Sequence, residues 1–502
     1  MAKTSILTII LSFGFLAAQA QTEWTLQKCI DHAFQNNIQI QQSQLNLELS
    51  EISKQQSVGT MLPSVNASAS HGYNWGQTID PFTNSFATER IRSNSLGANV
   101  SLTLFNGFQN MNSVKQSDID IEARKADLEK QRNDVALNVS NAFLGVLFQE
   151  EFVRIAKANL ENTDAQVQRI SQLVNAGAAP QGNLLEIQAQ RAADQASLIS
   201  AENNLSISYL NLRQLLRIPE TDKDSFVISA PSSDLADDMK LPANAESASS
   251  NALNNFPEIR SAEADLVGAE TNLKIAKGGM SPRLSMSYSY GSGYSGANQL
   301  PVGDPTIGFS EIGFVEGSND VVLTPNFSYD AFETKAFGDQ IRDNINSSLF
   351  FSLSVPIFNG FSTKSNIERA QVNLASSNLQ LESVKLQLEQ AIQSAYADAL
   401  ASLNNFQAGQ TTVSSAELAM EYATIRFEEG ASNIADYTQA RVRLDNARAD
   451  LIRNKYDYIF RVKVIEFYMG QPLTFRKNEK IYTYYSNCHW GLGPLDHHGL
   501  CF

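Results

Sequence analysis

One glycine-rich segment of the sequence has the spacing of a nucleotide-binding loop. Gly291, Gly293 and Gly296 fit the pattern G-x-G-x-x-G, and an acidic residue, Glu311, follows about twenty positions after the first glycine. A dinucleotide site requires a helix to begin at this loop, because the helix N-terminus binds the pyrophosphate. Proline and more glycine follow instead, beginning near Pro301, with no helical period. We therefore predict the end of a strand that enters a surface loop.

A second group of reactive side chains lies close to the C-terminus. Cys488, His497, His498 and Cys501 have the residue types of metal ligands. No periodic segment flanks them to supply supporting contacts, which metal sites normally have. The sequence contains no phosphate-binding loop, no H-E-x-x-H helix and no G-x-S-x-G turn. We predict no catalytic, cofactor or metal site, and a protein that is not an enzyme.

The composition also excludes several classes of protein. Charged residues make up 18% of the 502 residues and hydrophobic residues 43%, whereas soluble domains usually have about 25% charged residues. The 53 acidic and 38 basic residues give a net charge of −15. Nucleic-acid binding depends on clustered cations, so a nucleic-acid partner is not expected. Three cysteines are too few for a disulfide framework.

The N-terminus has the pattern of a secretory signal peptide. Lys3 precedes an uncharged apolar run at residues 6–17, and Ala18-Gln19-Ala20 forms a cleavage site. No cysteine follows this site directly, so a lipid anchor is not expected. No stretch in the chain reaches the roughly 18 consecutive apolar residues that a membrane-spanning helix requires. We expect an exported protein without such a helix.

The mature sequence contains an internal duplication. Residues 96–108 and 349–361 show the same alternation and both end in Phe-Asn-Gly-Phe, at an offset of 253 residues. The same offset relates Gly177 to Gly430. Two separate landmarks at one offset indicate a repeated structural unit. The predicted organisation is a signal peptide at 1–20, a first repeat at 21–245, a second repeat at 246–475 and an irregular tail at 476–502.

Each repeat contains two segments in which apolar and polar residues alternate, near residues 64–75, 95–104, 283–290 and 348–357. This period predicts strands with one apolar face, and their length suits a transmembrane β-barrel. A soluble antiparallel sheet has the same alternation. The polar residues here are Ser, Asn, Gly and Thr with almost no charge, however, which favours a water-filled lumen.

Four strands are too few to close a transmembrane barrel, and an open sheet edge is not tolerated in lipid. Several chains must then share one barrel. The residues that we expect to face outer-membrane lipid are Leu102, Leu104, Leu353 and Val355. The connection between the strands is longer by 34 residues in the second repeat, when Pro63 to Phe105 is compared with Pro282 to Phe358. We expect an ordered extracellular loop there, with a lid or receptor-like surface as the alternative.

Very long helices are predicted after each strand pair. Further helices are predicted after the two turns, over about 184–216 and 434–468, and shorter ones before the strand pairs, over about 26–59 and 248–277. Gly107 and Gly177 are 70 positions apart, as are Gly360 and Gly430, with no proline between them. A helix of this length extends about 100 Å. Apolar residues recur every seven positions, as in a coiled coil. Alanines in the apolar stripe, such as Ala142, permit the close packing of a curved helical wall, and a fibrous coiled coil is the alternative.

The order of helix, strand pair with Phe-Asn-Gly-Phe and long helical hairpin, present twice, resembles the TolC-like outer-membrane efflux protein family over residues 25–474. The resemblance implies an α+β fold in which a homotrimer shares a transmembrane β-barrel, four strands per chain, continued by a long α-helical coiled-coil tunnel. It implies a location in the cell outer membrane, extending into the periplasm. The number three comes from the resemblance alone.

The resemblance further implies a passive exit duct for small molecules. Its partners would be a periplasmic adaptor (membrane fusion) protein and an inner-membrane pump of the RND or ABC type. Two alternatives remain open: the exit duct of a type I protein secretion system, and a trimeric structural coiled-coil surface protein. The transported substrate is not encoded in any motif that we recognise.

In this family the adaptor docks at the tips of the helical hairpins, and the tunnel closes there. The resemblance assigns docking to Gly177, Ala178, Ala179, Pro180, Gly430 and Ala431. It assigns a periplasmic gate to an aromatic residue before the second tip and an acid after it, here Phe427 and Asp436. Ser432 and Gln439 stand where the best-known member has an arginine and a second acid, so we expect fewer ion pairs. The alternative is that Asp436 only begins the return helix.

Overall fold

The structure is a computed structural model that describes residues 24–80, 82–84, 86–87, 90–223, 225–229, 239–241, 246–318, 320–471 and 473. The predicted signal peptide at 1–20 and the predicted tail at 476–502 lie outside these residues. The four candidate metal ligands Cys488, His497, His498 and Cys501 also lie outside them.

Most described residues are helical, as the long apolar periodicity predicted. The helices are α1 (Leu26–Asn36), α2 (Ile38–Gly59), α3 (Gln109–Asn175), α4 (Gln181–Leu216), α5 (Glu246–Asn255), α6 (Pro257–Gly278), α7 (Phe337–Asp343), α8 (Ser362–Glu428) and α9 (Ile434–Tyr468). The two longest, α3 and α8, each contain 67 residues. A short 3-10 turn lies at Glu220–Asp222.

The described strands form one main sheet and three small hairpins. The strands are β1 (Ser64–Asn74), β2 (Thr78–Ile79), β3 (Phe86–Ala87), β4 (Ile91–Phe105), β5 (Arg283–Ser295), β6 (Gln299–Val302), β7 (Thr306–Phe314), β8 (Val321–Ser328), β9 (Ala331–Thr334) and β10 (Asn346–Ser354). The main sheet is antiparallel and has the order β1-β4-β5-β10. Its central pair, β4 and β5, joins the two predicted repeats.

The chain divides into two compact units that each draw on both predicted repeats. Among the described residues, one unit comprises those up to residue 45, those within 126–259 and those from residue 383 onward, and the other comprises those within 46–125 and 260–382. The first unit, called the helical unit below, contains the two hairpin turns near residues 177 and 430. The second, called the sheet unit, contains the main sheet and the small hairpins.

Two predicted helices are each split in the structure. The helix predicted over residues 26–59 breaks at Asn37, whose side-chain oxygen accepts a hydrogen bond from the Gln39 N–H at 2.9 Å. The helix predicted over residues 248–277 breaks before Pro257, because proline disfavours the helical conformation in the preceding residue. The prediction of continuous helices was wrong at these two points.

Helix α1 shows how the helical unit buries its apolar stripe. Leu26, Cys29, Ile30 and Ala33 are buried at the spacing of one helix face. Burial raises the pKa of the Cys29 thiol to about 12, although Lys28 acts in the opposite direction. The thiol therefore stays protonated at neutral pH and serves as a small apolar side chain.

The Phe-Asn-Gly-Phe motif forms the corner at which each repeat passes from strand to helix. Gly107 and Gly360 have φ of 67° and 61°, and the following Phe108 and Phe361 also have positive φ. In both corners the two phenylalanine rings of the motif pack edge to face, with centroids 5.3 and 5.5 Å apart. A Cβ at Gly107 would lie 2.3 Å from the carbonyl oxygen of Gly278. Glycine is thus required there by both conformation and contact.

The glycine-rich segment near residue 291 belongs to the sheet. Strand β5 continues to Ser295, and its Gly291 and Gly293 pair with Gly97 and Ser95 of β4. A Cβ at Gly293 would meet the ring of Phe82. A strand, β6, follows the segment where a dinucleotide site requires a helix. The glycines therefore serve packing, and the strand is longer than the sequence predicted.

The long connection in the second repeat is built from secondary structure. Strands β6 and β9 pair with each other, and β7 and β8 form a second hairpin nested between them. Helix α7 follows and leads into β10. The loop predicted in this place is thus a pair of nested hairpins with a helix at its base, called the arm below.

Candidate channel-lining sheet and hairpin tips

The main sheet has one continuous apolar face. Val100 of β4 lies opposite Val65 of β1 and Tyr288 of β5, and paired residues of antiparallel strands share a face. In the next row, Leu102 lies opposite Met286, which lies opposite Phe351 of β10. The apolar face consists of Val65, Ala67, Ala69, Leu96, Ala98, Val100, Leu102, Leu284, Met286, Tyr288, Tyr290, Leu349, Phe351 and Leu353.

The opposite face is lined by hydroxyl groups. Serine oxygens of neighbouring strands lie within hydrogen-bond distance in the pairs Ser64–Ser101 (2.6 Å), Ser70–Ser95 (2.8 Å) and Ser289–Ser348 (2.6 Å). Phe350, which pairs with Ser287, is an aromatic exception on this face. Ser347, which pairs with Tyr290, shares the apolar face, and Arg283 adds a charge to the hydroxyl face. A sheet with one predominantly apolar face and one hydroxyl-rich face suits a boundary between lipid and water.

Three of the four residues predicted to face lipid lie in the strands. Leu102 and Leu353 belong to the apolar face, and Leu104 lies at a bulge where the β4–β5 register shifts. Val355 lies one residue beyond the end of β10 at Ser354. Pro356 follows and has no N–H to donate to a neighbouring strand. Leu353 is 64% exposed in the single chain.

The first hairpin tip connects α3 to α4. Gly177 has φ of 75°, and the N–H of Ala178 donates to the Leu173 carbonyl at 2.8 Å. This left-handed glycine satisfies carbonyl groups at the helix end. Pro180 precedes the first residue of α4 with an extended backbone conformation. Ala178 and Pro180 are exposed and Ala179 is half-buried, so the tip offers a surface with no charged residue at 176–180.

The second hairpin tip connects α8 to α9 and has a helix cap. Gly430 has φ of 70°, and the Ala431 N–H donates to the Arg426 carbonyl at 2.8 Å. Asn433 caps α9, accepting from the Asp436 N–H at 2.8 Å. The Ser432 hydroxyl donates to the Asp436 carboxylate at 3.1 Å. Asp436 is exposed in the first turn of α9, as its helix-start interpretation requires.

The remaining two predicted gate residues, Phe427 and Gln439, lie in different environments. Phe427 is half-buried and packs against Tyr437, with ring centroids 5.3 Å apart. Both rings belong to an apolar cluster formed by Ile170, Ile187 and Ile434. Gln439 lies one turn beyond Asp436 and is exposed. Phe427 therefore holds the two hairpins together, whereas Ser432, Asp436 and Gln439 are at the surface of the single chain.

Sequence reasoning missed a buried polar cluster farther from the tips. Arg441 is 5% exposed, and its Nη2 donates to the Asn159 carbonyl at 2.5 Å and lies 3.3 Å from the Asp194 carboxylate. Asp194 also accepts from the Thr163 hydroxyl and, at 2.8 Å, from Gln190. The Arg441 Nη1 atom is buried without a hydrogen-bond partner in the described part of the chain.

This cluster joins α3, α4 and α9 within the helical unit. Burial raises the pKa of Asp445, and Arg441 at 3.6 Å acts in the opposite direction. The sequence indicates this cluster only in that its charged residues are not repeated in the other half of the duplication. At the offset of 253, Ala447 replaces Asp194 and Gln188 replaces Arg441.

The described residues contain no helix that is long and apolar enough to cross a membrane. Nor do they contain a group of three or more His, Cys, Asp or Glu residues placed to hold a metal ion.

Comparison with known proteins identifies the family. The sequence model of the outer membrane efflux protein family matches residues 29–216 and 248–471. The outer membrane efflux protein BepC of Brucella suis is 20% identical over 452 residues, covering 90% of this chain and 86% of the relative. The outer membrane protein TolC of Vibrio cholerae is 22% identical over 411 residues, covering 80% of each.

A solved structure shows the same fold. The crystal structure of the outer membrane protein VceC from Vibrio cholerae matches with a TM-score of 0.69 and 15% identity, covering 89% of this chain and 96% of that one. The chain belongs to the outer membrane efflux protein family. It is an efflux duct of the outer membrane that extends into the periplasm, of the kind found in tripartite systems. The family consists of transport proteins and is not an enzyme family.

Proposed function

We propose that three copies of this chain share one barrel, through which small molecules leave the cell without any energy input from the chain itself. The observation that carries the proposal is the main sheet, which has an apolar face, a hydroxyl face and two open edges at β1 and β10. Open edges are not stable in lipid. Pairing of β10 in one copy with β1 in the next removes every edge.

The glycine contacts support a ring of copies. Within the chain, the Gly107 corner of the first repeat packs closely against Gly278, at the end of the helix that precedes β5. The corresponding groups of the other seam are Gly360 and Gly59, the latter at the end of α2, which precedes β1. Both have open space around them in the single chain. An adjacent copy that places its Gly59 at Gly360 repeats the internal contact.

The partners belong to the same proposal. The exposed, uncharged turn at Gly177, Ala178, Ala179 and Pro180 and the turn at Gly430 and Ala431 are the proposed docking sites for a periplasmic adaptor. An inner-membrane RND or ABC-type pump supplies the energy. Ser432, Asp436 and Gln439 form the proposed gate, with Phe427 holding its hairpins together.

Two measurements test the proposal: the native mass of the purified protein and its ion conductance in planar bilayers. Native mass measurement of the purified protein should give a trimer, and the same preparation should produce discrete conductance steps in planar bilayers. A stable monomer in lipid would contradict the shared barrel. A trimer without conductance would instead favour a structural coiled-coil protein.

A further inference from the structure

The arm between β5 and β10 has a fixed base. Gln340, which is fully buried, donates to the carbonyl groups of Ser295 (3.0 Å) and Lys335 (2.8 Å) and accepts from the Ser295 N–H (2.9 Å). Asn344 donates to the Gly293 carbonyl at 2.8 Å. These bonds hold α7 against the end of β5. The nested hairpins of the arm therefore begin at a well-defined position.

The β7–β8 hairpin of the arm has one apolar face. Ile307 lies opposite Phe327 and Phe309 lies opposite Pro325, so these four side chains share a face. Phe309 is 68% exposed and Phe327 is 54% exposed. An isolated two-stranded hairpin is marginally stable in water, and exposed apolar strands promote aggregation. This face therefore requires a covering surface.

The charges of the arm argue against membrane lipid as that surface. Residues 299–334 include six acidic side chains and no lysine or arginine. Four of them, Asp304, Glu316, Asp320 and Asp330, lie in the connections between the strands. A negatively charged arm is repelled by the phosphate groups of a membrane surface. Glu311, opposite Leu323, lies on the same face next to Phe309. The uncharged part of that face is therefore the patch formed by the four apolar side chains named above.

The first repeat shows where the equivalent connection lies. The loop after β1 crosses from its own strand pair to the second repeat, where the Asp80 carboxylate accepts from the Ser295 hydroxyl. Phe82 of the same loop lies over Gly293, so closely that a Cβ there would overlap its ring. In a ring of copies, the same crossing brings the arm of the second repeat to β1 of the adjacent copy.

We propose that the apolar face of the β7–β8 hairpin covers the end of β1 in the adjacent copy of this chain. Exposed aromatic side chains lie there: Tyr73 is 42% exposed and Trp75 is 73% exposed. The contact rests on the proposed shared barrel, in which β10 of one copy pairs with β1 of the next. Each copy gives one arm and receives one, so a closed ring leaves no apolar hairpin face uncovered.

Site-specific photo-crosslinking tests this contact in the full-length protein in outer membranes. The photoreactive residue p-benzoylphenylalanine replaces Phe309 on the apolar face or, as a matched control, Ser310 on the opposite face. After irradiation, denaturing gels separate covalent dimers, and mass spectrometry locates the attachment. We expect dimers from position 309 with attachment within residues 71–79 of the other copy, and loss of these dimers at position 310.

Other outcomes overturn the contact. Attachment to lipid, to the same hairpin of another copy or to the chain's own residues excludes β1 of the neighbour as the covering surface. Absence of dimers from a preparation that is trimeric by native mass measurement does the same. A monomeric preparation would instead contradict the shared barrel itself, so failure of the two proposals can be told apart.

As a second variant, Trp75→Ala should lower the dimer yield at position 309 while trimers persist, and an unchanged yield would count against the contact.

Discussion

At the scale of single residues, the buried and the exposed polar groups of the helical unit have different roles. Arg441 and Asp194 lie in the interior among three helices, whereas Asp436 lies at the surface beside Asn433 and Ser432. Removing one member of a buried pair leaves an uncompensated charge, which costs more than replacing both. An exposed acid contributes little to stability and acts mainly on nearby ions.

For the buried pair, we predict that Arg441→Met lowers the free energy of unfolding by about 3–5 kcal/mol, because Asp194 then loses its charged partner. Urea denaturation in detergent measures this change. The matched control is Arg443→Met on the exposed side of α9, for which we expect a change within about 0.5 kcal/mol. Adding Asp194→Leu to Arg441→Met should restore most of the loss. A purely additive double variant would show that the two residues do not interact.

For the exposed acid, we predict that Asp436→Asn reduces cation selectivity and block by multivalent cations in bilayer recordings. In the proposed trimer, three copies of Asp436 around one axis concentrate negative potential, which the amide removes. Asn433 caps the helix through the backbone of residue 436, so the start of α9 remains in place. Asp450→Asn, farther along the exposed face of α9, is the control. If Asp436→Asn conducts like the parent, the residue is only part of the helix start.

At the scale of elements, the surface properties of the main sheet and of the arm are determined by the face on which each side chain lies. Leu353 and Ser352 are adjacent in β10 but lie on opposite faces. The same alternation gives the β7–β8 hairpin its apolar face. Besides Gln340 and Asn344, the base of the arm has a buried carboxylate, Asp80, which accepts from Ser295 and from the N–H groups of Phe82 and Thr83.

We predict that Leu353→Arg lowers the amount of assembled trimer in the outer membrane. An arginine on the lipid-facing side near the middle of the bilayer costs about 2–4 kcal/mol. Ser352→Arg places the same side chain on the hydroxyl face, where water can solvate it, and should assemble normally. Heat-resistant trimers are measured on gels. Equal assembly of the two variants would argue that the apolar face does not meet lipid.

We also predict that acid loosens the base of the arm. Burial acts to raise the pKa of Asp80, but hydrogen bonds from Ser295, Thr83 and Phe82 outweigh it and hold the pKa below its ordinary value. Because the pKa of Asp80 is lower in the folded chain than in the unfolded chain, the carboxylate stabilises the fold fully at pH values above its ordinary pKa of about 3.9. This stabilisation is lost as the pH falls through the lower pKa of the folded chain. Protease cleavage within residues 296–345 should therefore rise below about pH 4. In Asp80→Asn the cleavage rate should lose this pH dependence, and a parent without it would contradict the assignment.

The sequence predicted the positions of the long helices and the faces of the strands better than it predicted the contacts between distant residues. The ends of α3, α4, α8 and α9 were close to the structure because glycine at each turn sets a local boundary. Strand faces were predicted from alternation, which depends only on neighbouring residues. Arg441 and Asp194 are 247 positions apart, and no local pattern relates them. The hairpins of the arm were missed because its prolines and glycines resemble those of an irregular loop.

At the scale of the whole molecule, the proposed shared barrel makes the chain one part of a ring. Its main sheet ends at β1 and β10, and the pairing of β4 with β5 forms an internal seam between the two repeats. Close glycine packing fills the internal seam at Gly107 and Gly278, whereas Gly59 and Gly360 have open space. In the proposed ring, an adjacent copy packs at these two open positions.

We predict that Gly59→Leu blocks assembly although the single chain has room for the new side chain. In the proposed ring, Gly59 lies against Gly360 of the adjacent copy, where a leucine would overlap the backbone. Native mass measurement should show monomers, and circular dichroism should show unchanged helical content. A normal trimer would contradict the matching of the two seams.

The pairing of β4 with β5 also determines when the sheet can form during biogenesis. Leu102 pairs with Met286, and the two long helices of the first hairpin separate them in sequence. At a synthesis rate of roughly 5–20 residues per second, the second strand follows the first by on the order of 10–40 s. During that interval the exported first half carries an apolar strand pair with its future central edge open. We therefore expect delivery of this chain to require a periplasmic chaperone that keeps β1 and β4 from pairing with other exported chains until the second repeat arrives.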